Sequence, residues 1–199
     1  MDQGTEFQNQ VRNAIAASIA AKQRLLADGQ IVSTLARVSQ ILVEALRNGN
    51  KLMVFGNGGS AADAQHIAAE FVGRFAFNRP ALPALALSVN TSCVTAIGND
   101  YGFDLVFARQ VEALARRGDV AVGISTSGNS PNVIRGLEAA GGIGLHTVGF
   151  SGAAGGKLKQ IANFCLCAPS EETPRIQECH ILMGHILSEI AEREIFKPA

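Results

Sequence analysis

At 199 residues, with 47% hydrophobic and 17% charged side chains, the chain is long and apolar enough to bury one globular core. Its formal net charge of zero argues against nonspecific binding to nucleic acid or to an anionic membrane. No apolar run approaches the roughly twenty residues of a membrane helix, and Met1–Glu6 lacks the basic and apolar regions of a signal peptide, so a cytoplasmic protein is expected.

Helical periodicity rules the chain up to Asn48. The segment Gln8–Leu26 is apolar and alanine-rich, and Ile31, Leu35, Val38, Leu42, Ala45 and Leu46 recur at helical spacing. Val32 and Ile41 widen this second stripe beyond what one packing face needs. The surplus predicts that residues 1–49, part of the same domain, make contacts between subunits. Gly49 is placed to end the helix.

From Lys51 strand and helix alternate. Strands are predicted at Lys51–Phe55, Ala84–Ser88, Asp119–Ile124, His146–Phe150 and Asn163–Ala168. Helices are predicted at Ser60–Phe75, Thr91–Ile97, Asp104–Arg116, Pro131–Ala140, Gly156–Ile161 and Thr173–Phe196. The alternation over residues 50–199 predicts an α/β fold, a five-stranded parallel sheet with helices on both faces. Cys93, Cys165, Cys167 and Cys179 form no C-x-x-C pair, as suits a reducing compartment. Cys165 and Cys167 share one face of their strand and read as small buried hydrophobes.

Two loops follow predicted strands and open helices: Phe55-Gly56-Asn57-Gly58-Gly59-Ser60 and Ile124-Ser125-Thr126-Ser127-Gly128-Asn129-Ser130-Pro131. Glycine lets the backbone approach a ligand closely. A helix start offers unpaired N–H groups and the positive end of the dipole, and hydroxyls beside such amides make an oxyanion site. Ser130 is placed as N-cap, with Pro131 at the first helical position. The pair of loops reads as a phosphosugar site. Gly56, Gly58 and Ala61 also satisfy the dinucleotide fingerprint, but no Asp or Glu lies between Phe71 and Asn99 to hold a ribose hydroxyl, so NAD is rejected.

His66 and Glu70 lie four apart on the helix that opens at the first loop, a spacing that suits zinc and equally an ordinary surface pair. The last helix carries Gln177, Glu178, His180 and His185. At 100° per residue the two histidines are roughly 140° apart, so one straight helix cannot aim both at one ion. Gln177 and His185 are about 12 Å apart along the axis. Either long side chains bridge that gap, or the site takes groups from two subunits.

Longer motifs carry a family resemblance. They are Gly56-Asn57-Gly58-Gly59-Ser60-Ala61-Ala62-Asp63-Ala64-Gln65-His66 with Glu70, Ala96-Ile97-Gly98-Asn99-Asp100-Tyr101-Gly102, Ser125-Thr126-Ser127-Gly128-Asn129-Ser130, and Thr173-Pro174-Arg175-Ile176-Gln177-Glu178 with His185. Through nearly its whole length the chain resembles the phosphoheptose isomerases of the sugar isomerase (SIS) domain family. The resemblance implies a homotetramer, with sites near its subunit interfaces, that takes a phosphorylated heptose. It implies conversion of sedoheptulose 7-phosphate to D-glycero-D-manno-heptose 7-phosphate, for bacterial lipopolysaccharide or another surface polysaccharide. Ser60, Ser125, Thr126, Ser127 and Ser130 would cradle the phosphate, with Asn57, Gly58, Gly59, Arg74, Asn99, Asp100 and Gln177 also on the substrate. His66, Glu70, Gln177 and His185 would hold zinc, and Glu70 and His185 would transfer protons. The resemblance thus decides for His185 over His180. A non-catalytic SIS protein that binds a phosphosugar or another protein is the alternative. Such a binder needs no acid/base pair beside its phosphate loops.

Overall fold

The computed structural model describes residues 3–196. The chain opens with α1 (Gln3–Ala27) and α2 (Gly29–Arg47), divided at Asp28. The Asp28 carboxylate caps α2, accepting from the N–H groups of Gln30 at 2.9 Å and Ile31 at 3.0 Å. Gly49, at φ +77°, ends α2 in a Schellman turn. Its N–H donates to the Leu46 carbonyl, and the Asn50 N–H reaches back to Ala45.

The α/β part runs through β1 (Leu52–Gly56), α3 (Gly59–Val72), β2 (Ala84–Ala86), α4 (Thr91–Tyr101), a 3-10 turn (Phe103–Leu105), α5 (Ala108–Leu114), β3 (Val120–Ile124), α6 (Pro131–Ile143), β4 (His146–Ser151), α7 (Leu158–Ile161), β5 (Phe164–Cys167) and α8 (Thr173–Ile195). All strand pairs are parallel, in the order β2-β1-β3-β4-β5. The chain starts at β1, steps outward to β2, then returns to lay β3 on the other side of β1. That reversal puts the topological switch point between β1 and β3, where Gly56 pairs with Ile124. Open α/β sheets bind ligands outside the carboxyl ends of strands at such a point. Both Gly/Ser loops leave the sheet there.

Side chains of β1 alternate between two cores, as the pleat dictates. Leu52 and Val54 join Leu42, Ile67, Phe71, Phe150 and Met183 under α2, α3 and α8. Met53 and Phe55 join Phe107, Val111, Val133, Leu137 and Leu158 under α5, α6 and α7. At the opposite end of the sheet the buried Asp119 carboxylate accepts from the N–H groups of Lys51 (2.9 Å) and Arg116 (2.8 Å), so β1 and β3 start in register.

Several boundaries differ from expectation. Gly98 does not break α4: it keeps helical backbone, and a Cβ there would make only ordinary contacts with Phe103 and Val106. The helix runs on to Tyr101, and Gly102 at φ +89° ends it. The helix expected to reach Phe75 stops at Val72, since the Glu192 carboxylate captures the N–H groups of Phe75 and Ala76. Cys165 and Cys167 do share a face, their Sγ atoms 3.7 Å apart, but at the sheet edge they are half-buried and not in the core.

The surplus apolar surface lies elsewhere than the periodicity of α2 suggests. Leu35, Val38, Ile41, Leu42, Ala45 and Leu46 are buried within the subunit, which leaves Val32 exposed. On α1, by contrast, Phe7, Val11, Ile15 and Ile19 recur every four residues, and each is more than half exposed. No described helix is long and apolar enough to cross a membrane.

Candidate active site

The first loop turns at Gly58, whose φ of +56° is a conformation that L side chains rarely adopt. The Asn57 side-chain amide does not reach outward. It exchanges two hydrogen bonds of 2.8 Å with Asn132 at the start of α6, and so ties the first loop to the helix that the second loop opens. Ser60 is buried in the first turn of α3. A Cβ on Gly59 would collide with the side-chain amide of Gln177, so this glycine admits α8 to the edge of the loop.

In the second loop the hydroxyls face one another. Ser125 Oγ lies 2.9 Å from Ser130 Oγ and 3.4 Å from Ser127 Oγ, and Ser127 Oγ also accepts from the Asn129 N–H at 3.2 Å. Ser130 holds the N-cap position, but its hydroxyl makes no bond to the helix backbone; it turns inward to Ser125. A serine cap is therefore replaced by a hydroxyl cluster at a helix start, an arrangement suited to an oxyanion. The loop rests on a segment the sequence did not single out. Thr126 O accepts from Gly152 N, Gly128 O from Leu158 N, and Asn129 Oδ1 from Lys157 N. Gly128, Gly155 and Gly156 all have positive φ, and Cβ atoms on Gly128 or Gly156 would strike the facing backbone. The glycines at 152, 155 and 156 were the available signal for this support.

The same face of α3 that starts at Gly59 carries His66 and Glu70, since seven and eleven residues bring a helix nearly back to one direction. His66 Nε2 is 3.0 Å from Glu70 Oε1, and His185 Nε2 on α8 is 3.1 Å from His66 Nε2. One ligand atom from each of the three lies within 4.8 Å of the others. Two imidazoles and a carboxylate are the donor set of zinc, whose ligand bond lengths and tetrahedral angle put neighbouring donors roughly 3.4 Å apart. Two facing imidazole nitrogens can share at most one proton in a hydrogen bond. The residues therefore fit a divalent cation. Nearby, one oxygen of Asp63 is buried without a hydrogen-bond partner among the described residues, and burial raises this carboxyl against the opposing effect of His66.

Gln177 sits at the loop end of this face, beside Gly59, while His66 and His185 meet about two turns further along α3. Arg74 is exposed, four residues beyond Glu70. Asn99 and Asp100 pair with each other at 2.8 Å. Asp100 lines a separate cleft of about 520 Å³ with Tyr101 and Arg109, which contains none of the loop serines and none of the His/Glu cluster. One subunit thus gathers the two loops, Gln177 and the cluster; Asp100 faces a different opening, and Asn99 is bonded to it.

His180 is structural. Fully buried, it bonds Ser151 O through Nε2 at 3.0 Å and packs on Phe150. Burial pushes its pKa from 6.5 down to about 4, against the smaller opposing effect of the Ser151 carbonyl. The folded state keeps this ring neutral while the unfolded chain takes a proton, so the associated stability is present above pH 6.5 and is lost as pH falls towards 4. His180→Gln should remove that dependence. In urea titrations between these pH values, the parent should lose about 3 kcal/mol more than the variant. Parallel losses would contradict a neutral buried His180. Turnover of the variant near pH 7 should stay within about tenfold of the parent.

The SIS domain family matches residues 16–152 of the chain. A phosphoheptose isomerase of Clostridium acetobutylicum is 50% identical over 190 residues, covering 96% of this chain and 97% of that protein. One from Aquifex aeolicus is 60% identical over 158 residues, covering 79% and 83%. Among solved structures, the phosphoheptose isomerase of Neisseria gonorrhoeae superposes with a TM-score of 0.87 at 44% identity, and that of Francisella tularensis with 0.89 at 34%. Each covers 94% of this chain and 98% of its own.

Proposed function

The chain belongs to the SIS domain family and, within it, to the phosphoheptose isomerases; from that premise we propose how its residues carry the reaction. The enzyme is an aldose–ketose isomerase that interconverts sedoheptulose 7-phosphate and D-glycero-D-manno-heptose 7-phosphate. One observation supports the site assignment above others: His66, Glu70 and His185 converge on the same helix face that begins at the phosphate loop. Ser60 to Glu70 spans roughly 15 Å of helix, and Ser60 to His66 roughly 9 Å. That span suits a sugar phosphate whose reacting carbons lie at the far end of the chain from its phosphate.

The backbone N–H groups of the two loops, with Ser60, Ser125, Thr126, Ser127 and Ser130, hold the phosphate. Gln177, at Gly59 and about two turns from the cluster, meets the sugar between phosphate and cluster. Moving a hydrogen from C1 to C2 needs a base at carbon, a proton carrier at the oxygens, and stabilisation of the negative charge between them. Glu70 takes a proton from C1, exchanges it with solvent at the enediol stage, and delivers a proton to C2. His185 moves the proton between the two oxygens. Zinc held by His66, Glu70 and His185, with the Gln177 amide swung in from the loop end as a fourth donor, would polarise the carbonyl and stabilise the developing charge. A carboxylate bound tightly to a cation is a weaker base, so Glu70 would hold an ion only loosely while it acts as base.

Incubating the purified protein with sedoheptulose 7-phosphate should yield the aldose, and a chelator should abolish turnover that added zinc restores. A purely non-catalytic binder gives no aldose at all.

The quaternary state proposed is a homotetramer, in which subunit contacts would cover the exposed α1 stripe, since a row of large apolar side chains open to water is an aggregation hazard. Arg74, Asn99 and Asp100 then act on substrate at sites near the subunit interfaces. Light scattering at micromolar concentration should give four subunits, and Ile15→Glu should dissociate them; a monomeric parent protein contradicts this reading. The product feeds assembly of a surface polysaccharide.

A further inference from the structure

The proton-transfer scheme leaves one buried ion pair unused. The side chains of Arg79 and Glu192 are 2% and 1% exposed, with Arg79 Nε 3.0 Å from Glu192 Oε1. Glu192 lies on α8 and also accepts from the N–H groups of Phe75 (2.8 Å) and Ala76 (2.6 Å). Arg79 gives three of its four remaining N–H groups to backbone carbonyls, at 2.7 Å each to Glu70 O and Phe71 O, and at 3.0 Å to Pro80 O. Burial alone would raise the Glu192 carboxyl, but the Phe75, Ala76 and Arg79 donors outweigh it and hold it below the usual carboxylate value.

These bonds join the elements that make the candidate site. His66 and Glu70 are on α3, and His185 is on α8, two turns before Glu192. The ring of Phe75, whose N–H Glu192 holds, lies 5.7 Å from the His185 imidazole. The contacts therefore close a circuit: Glu70 to His66, His66 to His185, His185 to Phe75, Phe75 to Glu192, Glu192 to Arg79, and Arg79 back to the Glu70 carbonyl. A buried ion pair stabilises a fold little better than apolar residues of the same volume. What apolar residues lack is directed bonds to backbone atoms, and here the bonded atoms include those of Glu70 and Phe75.

We infer that Arg79 and Glu192 are positioning residues, which clamp the last turn of α3 and the Phe75 segment to α8 so that Glu70 and His185 meet in working geometry. The inference rests on the roles proposed above for Glu70 and His185. Groups that orient ligands or reacting side chains are worth about 10–100-fold in metal affinity or activity when substituted.

The test compares Glu192→Gln, Arg79→Lys and Phe75→Leu with the parent, each assayed per folded subunit after circular dichroism. Turnover should fall about 10–100-fold in the first two, with KM for the ketose phosphate within about threefold, because the phosphate loops bind uniformly in ground and transition states. Titration of metal-free protein with Co(II), followed by its d–d absorption, should show affinity lowered about tenfold or more. Phe75→Leu changes a half-buried ring and leaves the ion pair intact, so it keeps the test open if the charge variants do not fold. Its turnover should fall while its melting temperature barely moves. Folded variants with lowered melting temperature but parental turnover and Co(II) affinity would overturn the inference, leaving the pair a stability element. Full activity in Glu70→Gln would instead remove the roles beneath it, and Co(II) affinity would still decide whether the clamp positions the cluster.

Discussion

Glu70→Gln should lower turnover by about 10²–10⁴-fold, the usual worth of a general base, or about 3–5 kcal/mol of barrier. Glutamine keeps the shape of the side chain and can still meet His66, 3.0 Å away. The backbone there is fixed independently, through the Glu70 carbonyl held by Arg79. Fold and phosphate affinity should therefore survive. Metal analysis of the purified variant separates the two parts Glu70 can play. Loss of metal together with activity assigns it as a ligand; loss of activity with metal retained assigns it as the base. His185→Ala should behave similarly, since it removes the group facing His66 at 3.1 Å. Near-parental turnover in both variants would mean that neither side chain carries the proton transfer and that other groups of the site do.

The second large effect is expected at the phosphate loop. Each neutral contact to a charged group is worth about 1.5–3 kcal/mol, which is about 10–150-fold in affinity. Ser127→Ala with Ser130→Ala should raise KM by about 100-fold or more, short of strict additivity because the hydroxyls are neighbours. Stability should change little. An N-cap serine that bonds its helix is worth about 1 kcal/mol, but Ser130 spends its hydroxyl on Ser125 and not on the helix backbone. Calorimetry with inorganic phosphate checks the assignment without turnover. Unchanged affinity for phosphate and for the sugar phosphate would sink it.

Much of this arrangement is legible in the sequence because it depends on local pattern. Strand runs such as Val120–Ile124 are short, apolar and bounded by turn residues, and they were found to within a residue or two. The serine loop and the His66/Glu70 spacing are also local, so their neighbourhood was readable before any fold. Other features arise from contacts distant in sequence. Val32 and Ile41 flank the α2 stripe on opposite sides, about 180° apart on a helical wheel, and only Ile41 meets the core, so most of the stripe of α2 is consumed inside the subunit while α1 keeps its own exposed. The end of α3 is set from α8, more than a hundred residues away, by Glu192. No local signal distinguishes that glutamate from the exposed charges around it. His180 and His185 could not be ranked by spacing alone, since the choice depends on which side of α8 faces the sheet and which faces α3.

Solvent exchange at carbon tests the central claim most directly. With sedoheptulose 7-phosphate in D₂O, an enediol route through Glu70 places deuterium at C2 of the aldose and, by the reverse reaction, at C1 of the remaining ketose. Both positions are read by NMR. Deuterium is expected at both positions with the parent protein and is expected to be lost in Glu70→Gln. An aldose formed with no solvent deuterium at either carbon, or exchange undiminished in Glu70→Gln, would contradict it.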